Sequence, residues 1–123
     1  MQILCGTDII EIGRIKDSIE RLESFKRRIY TKSEIEYCES KGEQRYQHYA
    51  ARFAAKEAIY KAISPLLENK LGSSWTDVEI IHNKEGKPQV HFIDTQFETI
   101  KNIDISLSHC KEYAVANVVV LYE

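Results

Sequence analysis

Cysteine is scarce in this chain of 123 residues: Cys5, Cys38 and Cys110 stand far apart with no CxxC pair. Three thiols so placed make no disulfide framework and fit a reducing cytoplasm. The four histidines are scattered, without the close spacing of zinc ligands. No apolar run approaches the roughly 20 residues that a membrane helix needs. The apolar start MQILCGTDIIEIGR is interrupted by Asp8 and Glu11 and leads to no small-residue cleavage site, so it does not read as an export signal. Neither sign of charge dominates: the net charge is −2, which argues against a nucleic-acid binder. There are no repeats, low-complexity stretches or linkers.

What is present is ordinary for a globular protein, with 43% hydrophobic and 29% charged residues. The length suits one domain over 1–123 with a modest core. Residues 2–12 read as a strand. In RIKDSIERLESFKRRI, Ile15, Ile19, Leu22 and Phe25 recur at helical spacing. Thr31 followed by Glu34 is a capping box that opens a second helix through about Ser40, which Gly42 ends. A long helix is expected over 44–63, closed by Pro65. WTDVEIIH and PQVHFI flank NKEGK as a hairpin, a brief helix is expected over 94–101, and IDISLSH and YAVANVVVLY read as two strands joined tightly at Cys110–Glu112. The order is one strand, three helices, a hairpin, a short helix and two strands, which points to an α+β fold with a largely antiparallel sheet packed with the long helix.

The long helix contains RFAAKEAIYKA, from Arg52 to Ala62. At about 100° per residue, Ala50, Ala54, Glu57 and Lys61 share a narrow sector beside further alanines, while Arg52 and Lys56 point the other way as a natural solvent face. Two readings of Glu57 and Lys61 compete. A Glu–Lys pair one turn apart is an ordinary surface ion pair, worth only about 0.2–0.5 kcal/mol. Alternatively, the small-residue surround lets a ligand approach, and the carboxylate then needs a partner such as a divalent cation. Asp8 poses the same choice. Alternation along the first strand puts it on one face with Ile10 and Ile12, either as a strand-end polar residue or as a metal ligand. Together Asp8 and Glu57 would suit Mg²⁺, which takes one or two protein carboxylates and completes its shell with water and phosphate oxygens.

GTDIIEIGRI, RFAAKEAIYKA and ISLSHCKEYAVA, in this order and in a chain of this length, resemble the holo-acyl-carrier-protein synthase family of 4′-phosphopantetheinyl transferases. YTKSE and EGKPQV extend the similarity over nearly the whole chain. The resemblance implies transfer of the phosphopantetheine arm of coenzyme A to a serine of apo acyl carrier protein, with adenosine 3′,5′-bisphosphate released. By position it implies that Asp8 and Glu57 are Mg²⁺ ligands and that Lys61 is the lysine one turn beyond the metal glutamate. Ser108 and His109 match the serine–histidine pair near the nucleotide. It also implies a homotrimer with sites between subunits. The chemistry suits these residue types: Glu57 or a water takes the serine proton, Lys61 neutralises the leaving phosphate, and His109 holds nucleotide phosphates. A histidine capping a strand end is the plainer alternative for His109.

From Arg14 to Arg28 there are six basic residues against three acidic ones. Arg14 and Arg21 lie two turns apart on one side, and Arg28 continues the row if the helix persists. Such a run is usually a solvated face; the resemblance gives it an acidic carrier protein as partner. No aromatic platform accompanies the arginines as RNA binding would require. Two departures from the family pattern stand out. The glycine usual after the helix is replaced by Ala62–Ile63–Ser64–Pro65, so no nucleotide contacts are assigned to residues 63–74, and Cys110 follows His109 where a small polar or acidic residue is usual. The rival functions are a carrier-protein docking module without catalysis and an Mg²⁺-dependent nucleotide phosphohydrolase.

Overall fold

The computed structural model describes residues 1–67, 74–93 and 99–123. Strand β1 (Gln2–Glu11) is followed by helices α1 (Ile12–Arg21), α2 (Ser24–Ile29), α3 (Lys32–Glu39) and α4 (Arg45–Ile63). Then come β2 (Val78–His82), β3 (Pro88–Phe92), β4 (Ile100–His109) and β5 (Tyr113–Tyr122). β1, β5 and β4 form an antiparallel sheet in that order, and β2 pairs with β3 in a separate hairpin.

Local chemistry sets most of these boundaries. At α3 the capping box forms in full: the Glu34 N–H donates to Thr31 Oγ1 at 3.3 Å, and the Thr31 N–H donates to Glu34 Oε1 at 2.8 Å. Gly42, at φ 60, reverses the chain after α3. In the hairpin turn Gly86 sits at φ 84, and Asn83 Oδ1 accepts the N–H groups of Glu85 and Lys87. The expected helix over 94–101 falls mostly outside the described residues, and its last two positions, Ile100 and Lys101, belong to β4.

The helix expected after residue 14 is broken in two. Leu22 is extended and its N–H closes α1 on Ser18 O, after which α2 starts afresh at Ser24. Ile12 and Ile15 are buried from α1, whereas only Ile29 is fully buried from α2, so each short helix presents its own apolar edge to the core.

Helix α4 lies across the inner face of the three-stranded sheet, and small residues make that approach possible. Ala54, Ala58 and Ala62 meet Ala116, Val118 and Val120, all essentially inaccessible. Gly6 is required here: a Cβ at that position would run into the Ala58 carbonyl oxygen. Close contact between β1 and α4 is what brings Asp8 towards Glu57.

The expected solvent face of α4 is not solvated. Arg52 is 1% exposed and Lys56 is fully buried. The far side of α4 is covered by α2, α3 and the hairpin, so the helix is enclosed on nearly every side. Lys56 survives there because all three of its donors are used: Glu34 Oε1 at 2.6 Å, Ile29 O at 2.7 Å and Trp75 O at 3.0 Å. Glu34 in turn accepts the Ile80 N–H at 2.8 Å through its other oxygen. Burial drags the Lys56 ammonium below the usual lysine range and the Glu34 charge opposes that drop.

Candidate functional site

Asp8 is paired with Ala116 of β5 and projects from the inner face of β1 towards the C-terminal half of α4. Its side chain is only 14% exposed. The Lys61 ammonium donates to Asp8 Oδ1 at 2.9 Å and to the Thr7 carbonyl at 3.2 Å. The simple surface pair between Glu57 and Lys61 is therefore not what forms; Lys61 reaches across to the strand. Glu57 is half-buried, and no hydrogen-bond donor among the described residues reaches its carboxylate. Burial raises its proton affinity first, the Asp8 charge raises it further, and the Lys61 charge partly offsets both. Two carboxylates thus face one another with a single lysine to compensate.

This donor set fits a hard divalent cation. Among the described residues no group of three or more His, Cys, Asp or Glu side chains is arranged around a common point. Mg²⁺ needs no such cage, since one or two carboxylates suffice when substrate phosphates and water fill the remaining positions. The mutual repulsion that raises Glu57 is what such a cation would relieve.

Beside Lys61, on the outer side of the sheet, a cavity of about 520 Å³ is bordered by Cys5, Thr7, Asn117 and Val119. Another groove, of about 480 Å³, runs between β3 and β4 and holds none of the candidate residues. Its neighbourhood carries the exposed Lys87–Asp104 ion pair at 2.8 Å.

Ser108 and His109 end β4, opposite Val115 and Ala114. Strand β5 separates them from β1, so within one chain they stand two strand spacings from Asp8, about 10 Å in the pairing direction. The chain does not bring its serine–histidine pair to its carboxylates. Around His109 lies a different set of residues that sequence reasoning did not single out. His48 of α4 has its ring 6.4 Å from that of His109, and Tyr37 of α3 meets His48 edge-on at 5.6 Å. Tyr37 also stacks on His82 at 4.6 Å. Arg52 lies over the Tyr37 ring at 4.2 Å and donates from Nη2 to His82 Nδ1 at 3.0 Å. Because a guanidinium only donates, the His82 proton sits on Nε2. The available signal was Arg52 itself, a cation embedded among Ala51, Phe53 and Ala55 in a helix with apolar residues on every side.

Cys110 opens the β4–β5 turn, where the nearby backbone N–H groups of Glu112 and Tyr113 draw its thiol below its ordinary range.

Arg14 and Arg21 are both exposed on α1. Arg28 is exposed too, but on α2; the break at Leu22 and Glu23 ends the row of α1, so Arg28 does not continue it.

A family model described as the 4′-phosphopantetheinyl transferase superfamily matches residues 4–118. A holo-[acyl-carrier-protein] synthase of Ruminiclostridium cellulolyticum is 43% identical over 126 aligned positions, covering 98% of this chain and 92% of that protein. One from Chloroherpeton thalassium is 45% identical, covering 94% of each chain. Among solved structures, a holo-(acyl-carrier-protein) synthase from Bacillus anthracis in complex with CoA (3′,5′-ADP) superposes with a TM-score of 0.79 at 34% identity, covering 98% of this chain and 96% of that one.

Proposed function

The chain belongs to the 4′-phosphopantetheinyl transferase superfamily, and we propose that it transfers 4′-phosphopantetheine from coenzyme A to a serine of apo acyl carrier protein. The other product is adenosine 3′,5′-bisphosphate. The observation that carries this reading is the convergence of Asp8, Glu57 and Lys61 where Gly6 lets β1 and α4 touch.

Asp8 and Glu57 would hold Mg²⁺, which when bound supplies charge neutralisation for the diphosphate of coenzyme A. Glu57 is the base that accepts the serine proton. As that proton leaves, the serine oxygen forms a bond to the β-phosphorus and the bond from that phosphorus to the bridging oxygen breaks. The electron pair leaves with adenosine 3′,5′-bisphosphate. Lys61 is more than half exposed at its tip, so its ammonium can turn from Asp8 to the departing phosphate. The cavity beside it, mostly apolar in its walls, suits the pantetheine arm. Ser108 and His109 hold the nucleotide.

For these two half-sites to act together, neighbouring subunits of a homotrimer must juxtapose them. The outer sheet face supports such an assembly: Ile3 is 69% exposed, Ile9 64% and Val119 48%, an apolar stripe that no described element covers. Arg14 and Arg21 of α1, with Arg28 of α2 beside them, form the basic surface for the acidic carrier. No described helix is long and apolar enough to cross a membrane, and the free cysteines suit a cytoplasmic location. A single catalytic domain over 1–123 completes the proposal.

The test is mass spectrometry of apo carrier protein incubated with the enzyme, coenzyme A and Mg²⁺. A gain of one phosphopantetheine on a serine is expected; no gain overturns the reading. Release of bisphosphate without carrier protein would identify a phosphohydrolase instead.

A further inference from the structure

Lys61 is anchored to β1 at two points. Its ammonium donates to Asp8 Oδ1 at 2.9 Å and to the Thr7 carbonyl at 3.2 Å. Both acceptors are hard oxygens of the kind that a divalent cation takes. The Asp8 side chain is mostly buried, so its charge is poorly served by water and depends on this partner. Lys61 is in the opposite position: more than half of its side chain is exposed, and water takes over its ammonium when it lets go. Glu57 stands one turn back on the same helix, and the charged groups that bear on it are Asp8 and Lys61. One ammonium thus serves as the positive charge between two carboxylates.

A site that carries its own cation resists a second one. For Asp8 Oδ1 to serve Mg²⁺, Lys61 must give it up, and the ammonium then needs another anion. We propose that Lys61 is a built-in counter-ion that keeps the Asp8–Glu57 pair from taking up a divalent cation alone, and that the diphosphate of coenzyme A releases it by offering the ammonium a new partner. Cation and coenzyme A then favour one another, each raising the affinity of the protein for the other by the same factor. Phosphate oxygens that touch the cation couple the two ligands in any protein. The share owed to Lys61 is the part that disappears with the ammonium. The consequence for the reaction is one of order, because the lysine reaches the phosphates as the carboxylates are freed for the cation. This inference rests on the transfer reading, in which Asp8 and Glu57 are the cation ligands.

The experiment uses Mn²⁺ as the probe and follows its binding by electron paramagnetic resonance. The full-length wild type is compared with Lys61→Met, first without nucleotide and then with saturating coenzyme A, with Mn²⁺ held by free coenzyme A subtracted. Loss of the ammonium is expected to tighten Mn²⁺ binding roughly tenfold without nucleotide and to shrink the further gain that coenzyme A gives. In the wild type, heteronuclear NMR of the lysine ammonium groups follows Lys61 during titration with Mg²⁺ and coenzyme A. Its carboxylate-bonded signal should shift when both are present. Equal or weaker Mn²⁺ binding by Lys61→Met, or an undiminished gain, overturns the inference. Tighter binding with an unmoved Lys61 signal marks charge repulsion without exchange of partners and overturns it too. Either result leaves the transfer reading standing, since phosphopantetheine gain on the carrier protein judges that separately. Mn²⁺ binding that survives Asp8→Asn, or none in any protein with or without coenzyme A, removes the cation site and the inference together.

Discussion

Lys56 and Lys61 stand five residues apart on α4, and each grips a carboxylate brought by another element. The first pair, with Glu34, is buried at both ends; the second, with Asp8, leaves the lysine 54% and the aspartate 14% exposed. Lys56 spends every donor on a fixed acceptor, so nothing remains for a substrate. Lys61 holds one carboxylate oxygen and one carbonyl and keeps open access to solvent and to a cavity. A helix can thus carry a structural pair and a working pair within one turn and a half. What separates them is the packing around each, because a buried ion that loses its partner is stranded and an exposed one is rehydrated.

That contrast is broken most severely by Lys56→Met. It strands the Glu34 carboxylate, and chemical denaturation should show a loss of about 3–5 kcal/mol. A loss below about 1 kcal/mol would put Lys56 in the same class as a surface lysine. Adding Glu34→Gln removes the stranded charge. The double variant should recover to within about 1–2 kcal/mol of the wild type, the residue reflecting the carbonyls of Ile29 and Trp75 left without their donor.

On the working side, Lys61→Met should change stability by no more than about 1 kcal/mol while lowering the rate of transfer on the order of 10²-fold. Equal losses of stability and activity would erase the distinction drawn between the two lysines. Glu57→Gln has the smallest expected effect on the fold and one of opposite sign. A carboxyl whose proton affinity is raised in the folded state destabilises that state once ionised, so the variant should melt slightly higher at pH 7. The gain should vanish as pH falls through the raised Glu57 midpoint, where the wild-type group takes up its proton. Transfer by Glu57→Gln should be abolished across the range, as mass spectrometry of the carrier protein would record.

The elements were largely readable because their signals are local. The Thr31–Glu34 box, Gly42, the NKEGK turn and Pro65 each act within a few residues, and each sits at the boundary it was expected to mark. The second task of Glu34 was not readable. Its side chain satisfies the box through one oxygen, and nothing nearby in sequence reveals that Lys56 and the Ile80 N–H share it. The α1–α2 break escaped for a related reason: Leu22 and Phe25 keep the helical period across it, so periodicity alone does not register the extended backbone at Leu22.

The candidate site divides in the same way. Residue type singled out Asp8, Glu57 and Lys61, since charged groups are conspicuous against an apolar background, and the family resemblance added Ser108 and His109. The sequence missed Arg52, His48, His82 and Tyr37, whose meeting depends on α3, α4, β2 and β4 sharing one end of the molecule.

By itself the sequence determined the helices, strands and turns and the kinds of side chain available for chemistry, through steric and hydrogen-bonding preferences that act between near neighbours. Only the tertiary structure decided which carboxylate each lysine meets. Lys56 finds Glu34 across 22 positions and Lys61 finds Asp8 across 53, and strand register and helix packing alone set those distances.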